Sequence, residues 1–335
     1  DAITFGVPGA TLVGMRNQLG NTGTTFDNLS FLRTAKGPVV SGTPAVTVPS
    51  LEADVVTNGN MEAGNPPSNW NATNATLTGA ADERTGGSGA QSINVAASAD
   101  YGQAGQAVSP VAGTWTKFDC YYKVISGNAR IQLYDNVAVA TIMDSGNLSG
   151  ANWTQFTRYN RWLGNGSVKL MGRYNTNEVR YDDVSLDPIT LASTLSLAKD
   201  AGVKAAVYRV LIPSIATGTH AGLAVCVDNE AAPTYWLCAY CDRTKVSLDT
   251  RTAGVPALPI DTATGVTYAA SCYLYITVIG GGVGSIVRVF YESAAGVLTQ
   301  VGADQSLDLS SFGSRVAWFD PSGQNGPSLV EVFAA

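Results

Sequence analysis

The chain has 335 residues, 45% of them hydrophobic and only 14% charged, with 20 Lys and Arg against 26 Asp and Glu for a net charge of −6. That is too long for one ordinary core and too apolar for a disordered tail, so at least two domains are expected. No basic cluster breaks the acidic balance, which excludes nucleic acid as a partner, because phosphate binding needs a basic face.

Gly, Ala, Thr, Val, Asn and Ser dominate, while Lys and Glu, the usual fillers of exposed helix faces, are scarce. Such a composition favours strands and tight turns. The opening Asp1, with no initiator Met and no signal-peptide pattern, reads as a processed product or part of a longer chain. In chain order, Leu12–Arg16 and Phe26–Phe31 read as two strands around a Gly-rich turn, an N-terminal β-hairpin over residues 1–33 with Leu29 and Phe31 on one face. Residues 34–50, with Pro38, Pro44 and Pro49, read as an extended linker. A first whole domain is expected over 51–186, with strands Lys117–Val124, Arg130–Tyr134, Thr154–Trp162, Val168–Tyr174 and Val179–Leu186. Asp187-Pro188 marks the next boundary, and a short helical turn is expected near Leu191–Lys199. A second domain follows over 187–335. It holds a hairpin, His220–Val227 with Thr234–Cys241, then Lys245–Thr250, Cys272–Ile279, Ser285–Tyr291 and two closing strands. The most apolar run, Cys272–Ile279, has the length of a strand; a membrane-spanning helix needs about 20 apolar residues. No membrane insertion is expected.

The fold class is therefore all-β: two antiparallel β-sandwiches (jelly rolls) in tandem, plus the N-terminal hairpin. Cys238-Ala-Tyr-Cys241 has zinc or redox spacing. Within a strand, however, positions three apart point to opposite faces, so the five cysteines read as buried thiols. A turn centred on Ala231-Ala232 would place Cys226 opposite Cys238, and no disulfide is expected there.

Asn58-Gly-Asn-Met-Glu-Ala-Gly64, Trp70, and the closing Val179-Arg-Tyr-Asp-Asp-Val-Ser-Leu186 resemble the frame of the jelly-roll carbohydrate-binding modules found on xylanases and related hydrolases. Gly113-Thr-Trp-Thr116 and Ala151-Asn-Trp-Thr154 are similar to the strand-opening turns of that family. From Ala221 onward, Ala221-Gly-Leu-Ala-Val, Tyr235-Trp-Leu-Cys-Ala-Tyr, Val246-Ser-Leu and Val287-Arg-Val-Phe-Tyr resemble laminin-G-like, concanavalin A-type domains. Leu12–Arg16 with Phe26–Phe31 parallels Arg315–Phe319 with Leu329–Phe333. The N-terminus is thus similar to the closing strands of a third, partial laminin-G-like domain. Tandem modules of this kind occur in phage virion proteins and bacterial extracellular proteins.

These resemblances imply a non-enzymatic surface binding or assembly protein, in the first place a virion component such as a tail fibre or capsid decoration. The alternative is the carbohydrate-binding region of a secreted glycoside hydrolase or adhesin. Either setting is extracellular or on a virion surface, with a glycan or neighbouring subunits as partner, in a homo-oligomer or larger assembly. The first family also implies one structural Ca²⁺ between the opening and closing strands, which maps onto Glu62 and Asp183. No catalytic set is legible. Asp182 and Asp183 are adjacent and cannot form the carboxylate pair of a glycosidase. The lone histidine, His220, has no nucleophile in its motif. For glycan contact the candidates are the aromatic Tyr122, Tyr134, Trp162 and Tyr174, with Arg130 and Gln132 as hydrogen-bonding partners. In the pair Tyr121-Tyr122, Tyr122 is expected to face outward.

Overall fold

A computed structural model of the chain describes residues 39–40 and 50–335, apart from positions 83, 85, 88, 137–138, 163, 191–194, 230–231, 257–258, 267–271, 293–296, 324, 326–327 and 335. The hairpin expected over residues 12–33 lies outside the described residues. The regular elements described are all strands in antiparallel sheets. They fall into two compact units, Ser50–Thr190 and a second that contains Leu191–Ala335. The stretch expected as linker departs from that reading: Val39–Val40, β1, is a strand with Val39 opposite Glu331.

The unit over residues 50–190 holds β2 (Asn71–Thr73), β3 (Ala75–Ala80), β4 (Ser92–Ala97), β5 (Gly102–Val108), β6 (Trp115–Ser126), β7 (Ala129–Asp135), β8 (Ala140–Asp144), β9 (Thr154–Arg161), β10 (Gly166–Gly172) and β11 (Glu178–Pro188). Two sheets form, in the orders β2-β5-β10-β7-β8 and β3-β4-β11-β6-β9. Both follow from alternation with period two. In β6, Phe118, Cys120, Tyr122 and Val124 point into the core, while Lys117, Asp119, Tyr121 and Lys123 point out. The core between the sheets gathers Met61, Trp70, Ile93, Leu133, Trp162, Leu170, Tyr181 and Leu186. The closing strand runs on to Pro188, and Thr190 N donates to Ser50 O at 2.9 Å. The unit therefore ends past the expected boundary at residue 186.

The Asn-Gly opening motif has a physical cause. Asn58 ties its own loop: its Oδ1 accepts Ala63 N, and its Nδ2 donates to the carbonyls of Ala63 and Ser68. Its carbonyl accepts Trp70 Nε1 at 3.2 Å. Gly59 then passes so close to the closing strand that a Cβ there would stand 1.9 Å from Val184 O. Val184 N donates to Gly59 O at 2.9 Å. The opening motif and the Asp-Asp-Val motif thus meet. They do so at a β-bulge between Asp182 and Ser185, where the extra residues re-aim the side chains.

In the second unit the strands are β12 (Leu195–Asp200), β13 (Ala206–Ile212), β14 (Ala221–Val227), β15 (Trp236–Cys241), β16 (Lys245–Thr252), β17 (Val255–Pro256), β18 (Asp261–Thr264), β19 (Cys272–Ile279), β20 (Ser285–Glu292), β21 (Leu298–Leu307), β22 (Arg315–Phe319) and β23 (Ser328–Ala334). One sheet runs β1-β23-β13-β19-β20-β21 and the other β12-β22-β14-β15-β16-β17, with β18 also on β16. Tyr208, Leu223, Leu237, Ile276, Val289 and Trp318 are among the residues of their shared core. Two expectations are corrected here. Part of the stretch expected as a helical turn, Leu195–Asp200, is a strand, because β22 offers it a hydrogen-bonding edge. Cys238 lies opposite Ala224, not Cys226, which takes a positive φ of 55° just before the turn. The last two strands do not pair with each other: β22 bonds β12 and β14, and β23 bonds β1 and β13. All five cysteines are buried, as expected.

Candidate functional site

In the β2-β5-β10-β7-β8 sheet one face feeds the core and the other looks outward. On β7, Ile131 and Leu133 enter the core, so Arg130, Gln132 and Tyr134 stand on the outward face. On β10, Val168 and Leu170 point in, and Ser167 and Lys169 point out. Register sets Lys169 beside Gln132 on one side and Gly105 on the other, with Asn71 next in line. At Gly105 a Cβ would meet nothing nearer than 3.7 Å, so the face is open there.

Charges and rings are then paired. Arg130 Nε donates to Asp144 Oδ1 at 2.8 Å, and its Nη2 donates to Asp144 Oδ2. Gln132 Nε2 donates to the same Oδ2 at 2.9 Å. Burial works against ionisation of Asp144, but Arg130, the Gly146 amide and Gln132 outweigh it and hold the carboxyl at about 2. The ammonium of Lys169 lies 4.0 Å from the centre of the Tyr134 ring, a cation–π contact. Burial pulls the Lys169 pKa down. At one end of the face, the Arg173 guanidinium is stacked on two rings, 4.0 Å from the centre of Tyr101 and 4.3 Å from that of Tyr174. Arg130 stands 5.4 Å from the same Tyr101 ring. Tyr101 and Tyr174 are 41% and 42% exposed, so each offers free ring surface.

The structure therefore brings Tyr134, Arg130 and Gln132 together, with Tyr174 linked to them through Arg173 and Tyr101. It does not bring Tyr122 or Trp162 there. Tyr122 is a core residue whose hydroxyl donates to Ser149 O at 3.3 Å. The inward phase of β6, fixed by Phe118 and Val124, leaves Tyr121 outward instead, with Arg84 3.8 Å from its ring centre. Trp162 is fully buried, at the centre of the same core. Lys169, Tyr101, Arg173 and Asp144 were missed by the sequence reading. Lys169 was within reach, since it alternates with the apolar Val168 and Leu170 in a strand already expected.

The second candidate constellation lies at the β11 bulge. Glu62 Oε1 accepts the amides of Ala90 and Gln91, both at 2.8 Å. Its carboxylate fills the space over Gly89, where a Cβ would be 2.0 Å from Glu62 Cδ. Asp183 Oδ2 accepts Arg84 Nε at 2.8 Å. Asp183 also lines an open depression with Asp54, Gly59, Asn60, Val184 and Ser185. Beside Asp183 in the chain is Asp182, 2% exposed. Burial pushes its carboxyl up to about 6, and the like charges of Asp183 and Glu62 add to the rise. Among the described residues no three Asp, Glu, His or Cys side chains converge as a metal-ligand set. An ion shared by Glu62 and Asp183 would thus need backbone carbonyls as well. The donors are hard oxygens, the type calcium takes, and a cation there would share Asp183 with Arg84.

No protein-family model and no curated protein matches this chain. Solved structures similar to it include the CBM22-1–CBM22-2 tandem of Paenibacillus barcinonensis Xyn10C, at 8% identity and TM-score 0.34, covering 86% of this chain and 99% of that one. A structure described as "CBM4 structure and function" matches at 16% identity and TM-score 0.30, over 40% of this chain and 99% of that one. The enzymatically active domain of bacteriophage CBA120 tailspike protein 4 matches at 14% identity and TM-score 0.33, over 41% of this chain and 21% of that one. The structures this chain resembles are mostly jelly-roll carbohydrate-binding domains.

Proposed function

We propose that residues 50–190 form a non-catalytic glycan-binding module whose contact surface is the outward face of the β2-β5-β10-β7-β8 sheet. One observation carries this reading: Arg130, Gln132, Asp144, Lys169 and Tyr134 stand side by side on adjacent strands, at a place where Gly105 leaves the face open. A sugar ring presents an apolar C–H face and a rim of hydroxyls. Tyr134, Tyr101 and Tyr174 supply ring surfaces for the first, and amide, carboxylate and guanidinium groups supply donors and acceptors for the second. The groups sit on strands rather than loops and are locked to each other, so little ordering entropy is lost on binding.

In the same reading, Glu62 and Asp183 hold one structural Ca²⁺ with backbone carbonyls. The ion pins the opening segment to the closing strand and takes no part in glycan contact. The module works outside the cell, on a virion or cell surface or as the binding region of a secreted hydrolase; both settings present a non-catalytic module to a polysaccharide. The test is affinity electrophoresis of the full chain in gels cast with soluble plant, bacterial and algal polysaccharides. Retardation by at least one polysaccharide, lost in Tyr134→Ala, is the expected result. Unretarded migration in every gel, or retardation unchanged in Tyr134→Ala, contradicts the proposal.

A further inference from the structure

Resting on that glycan-binding reading, we infer that the face takes a negatively charged polysaccharide, one bearing carboxylate or sulfate groups, with Lys169 as the group that meets the charge. The chain as a whole carries a net charge of −6, yet this face gathers Arg130, Lys169 and Arg173. Among the described residues two carboxylates belong to the same neighbourhood, one paired with a cation and the other hydrogen-bonded only by a backbone amide, so positive charge remains in excess. Asp144 is taken by the two-pronged pair with Arg130, and Asp100 accepts the Asn175 amide at 3.0 Å. Lys169 and Arg173 make no ion pair with a carboxylate among the described residues; each is stacked on tyrosine rings instead.

Position singles out Lys169. It lies on β10, the middle strand of five. Its neighbour across the β5 ladder is Gly105, which has no side chain to cover it. Its neighbour across the β7 ladder is Gln132, whose amide nitrogen already donates to Asp144. The Lys169 ammonium leans over the Tyr134 ring on β7, and the missing side chain at Gly105 on its other flank leaves room for an anionic group to approach it. Partial burial also matters, because a half-desolvated ammonium gains more from a counter-charge than one in bulk water. A neutral sugar supplies no such counter-charge.

The test compares polygalacturonate with its methyl-esterified, neutral form, and kappa-carrageenan with its desulfated, neutral galactan, by isothermal titration against the full chain. The expected result is binding at least about tenfold tighter to a charged form than to its neutral counterpart. That preference should shrink as salt rises from about 0.02 to about 0.3 M, where the Debye length falls from roughly 20 to 6 Å. Lys169→Gln should abolish the preference while the chain stays cooperatively folded in its melting curve, and Lys169→Arg should keep it. The carboxylate and sulfate arms show which anion is taken. Equal or tighter binding of the neutral forms overturns this inference and leaves glycan binding standing, as does a preference that survives Lys169→Gln. Absence of binding to these polymers and to every polysaccharide in the electrophoretic panel overturns both.

Discussion

The Lys169 ammonium rests 4.0 Å from the centre of the Tyr134 ring, although the two residues are not direct partners in the β10–β7 ladder. Tyr134 lies opposite Ser167 and Lys169 opposite Gln132, so the contact is diagonal across the sheet. Diagonal pairs of this kind hold long side chains in place. Here the pair fixes a cation and an aromatic plane on an open face.

A bulky residue at Gly105 tests that openness. Gly105→Phe meets no atom within 3.7 Å at its Cβ and takes the place of a poor strand former. Stability should stay within about 1 kcal/mol of the parent. Polysaccharide retardation should vanish, because the ring occupies the space beside Lys169. Melting curves and affinity electrophoresis on one preparation check both halves.

The aromatic residues named from sequence should separate into two classes. Trp162→Ala removes a fully buried core side chain and should cost about 3–5 kcal/mol. Tyr134→Ala gives up a cation–π contact worth roughly 0.5–1 kcal/mol, so it should leave the fold intact and lose the glycan. Urea denaturation of the two variants decides it; equal destabilisation would contradict the assignment of faces.

Much of the first unit's frame was legible in the sequence, and the reason is local. Asn58-Gly59 and Asp182-Asp183-Val184 are distinctive because Gly59 must pass Val184 closely and Asn58 must bridge a loop. The strands β6, β7, β9, β10 and β11 carry large apolar residues at period two. The strands β2 to β5 do not: they are built of Ala, Gly, Thr, Gln and Asn, with few large side chains to mark the inward phase. The site was half legible for the same reason. Arg130, Gln132 and Tyr134 share the parity of a clear strand. Tyr101 and Arg173 lie in turns, and only the folded arrangement stacks them. Tyr122 was misread because two adjacent tyrosines give no phase by themselves; Phe118 and Val124 supply it.

Calcium should act on stability and not on the glycan face. At free calcium about 100 times Kd, an ion bound only by the folded chain adds ~2.7 kcal/mol. A rise in melting temperature on moving from EDTA to calcium is expected, and Glu62→Gln should remove it. A melting curve that ignores calcium contradicts the site.

Acid sensitivity should arise in the second unit from His220. Its ring packs edge-on against Tyr240 at 5.8 Å, and its Nε2 is 3.8 Å from Asp242 Oδ2. Burial, opposed by Asp242, pulls its pKa from 6.5 down to about 4. The unfolded chain then binds a proton near pH 6.5 that the folded chain refuses until near pH 4. Stability is fully present above pH 6.5 and falls as pH drops to 4, by up to ~3 kcal/mol. Replacing the ring by a group that does not titrate, His220→Gln, should flatten urea midpoints across that window relative to the parent.

Buried charge should be costly to break in the same unit. Arg209 is fully buried, ion-paired with Glu331 and 4.5 Å from the centre of the Tyr273 ring. Glu331→Ala strands the guanidinium and should cost about 3–5 kcal/mol. A loss below about 1 kcal/mol in urea denaturation would show that Arg209 finds another partner.

The central claim is that one sheet face of residues 50–190 binds glycan. A glycan microarray probed with the full chain and with Gly105→Phe, each confirmed folded by its melting curve, tests it most directly. The parent should bind a subset of the printed glycans, and Gly105→Phe should bind none of them. Binding by Gly105→Phe to the same glycans at the same strength, or no binding by the parent to any glycan, would contradict it.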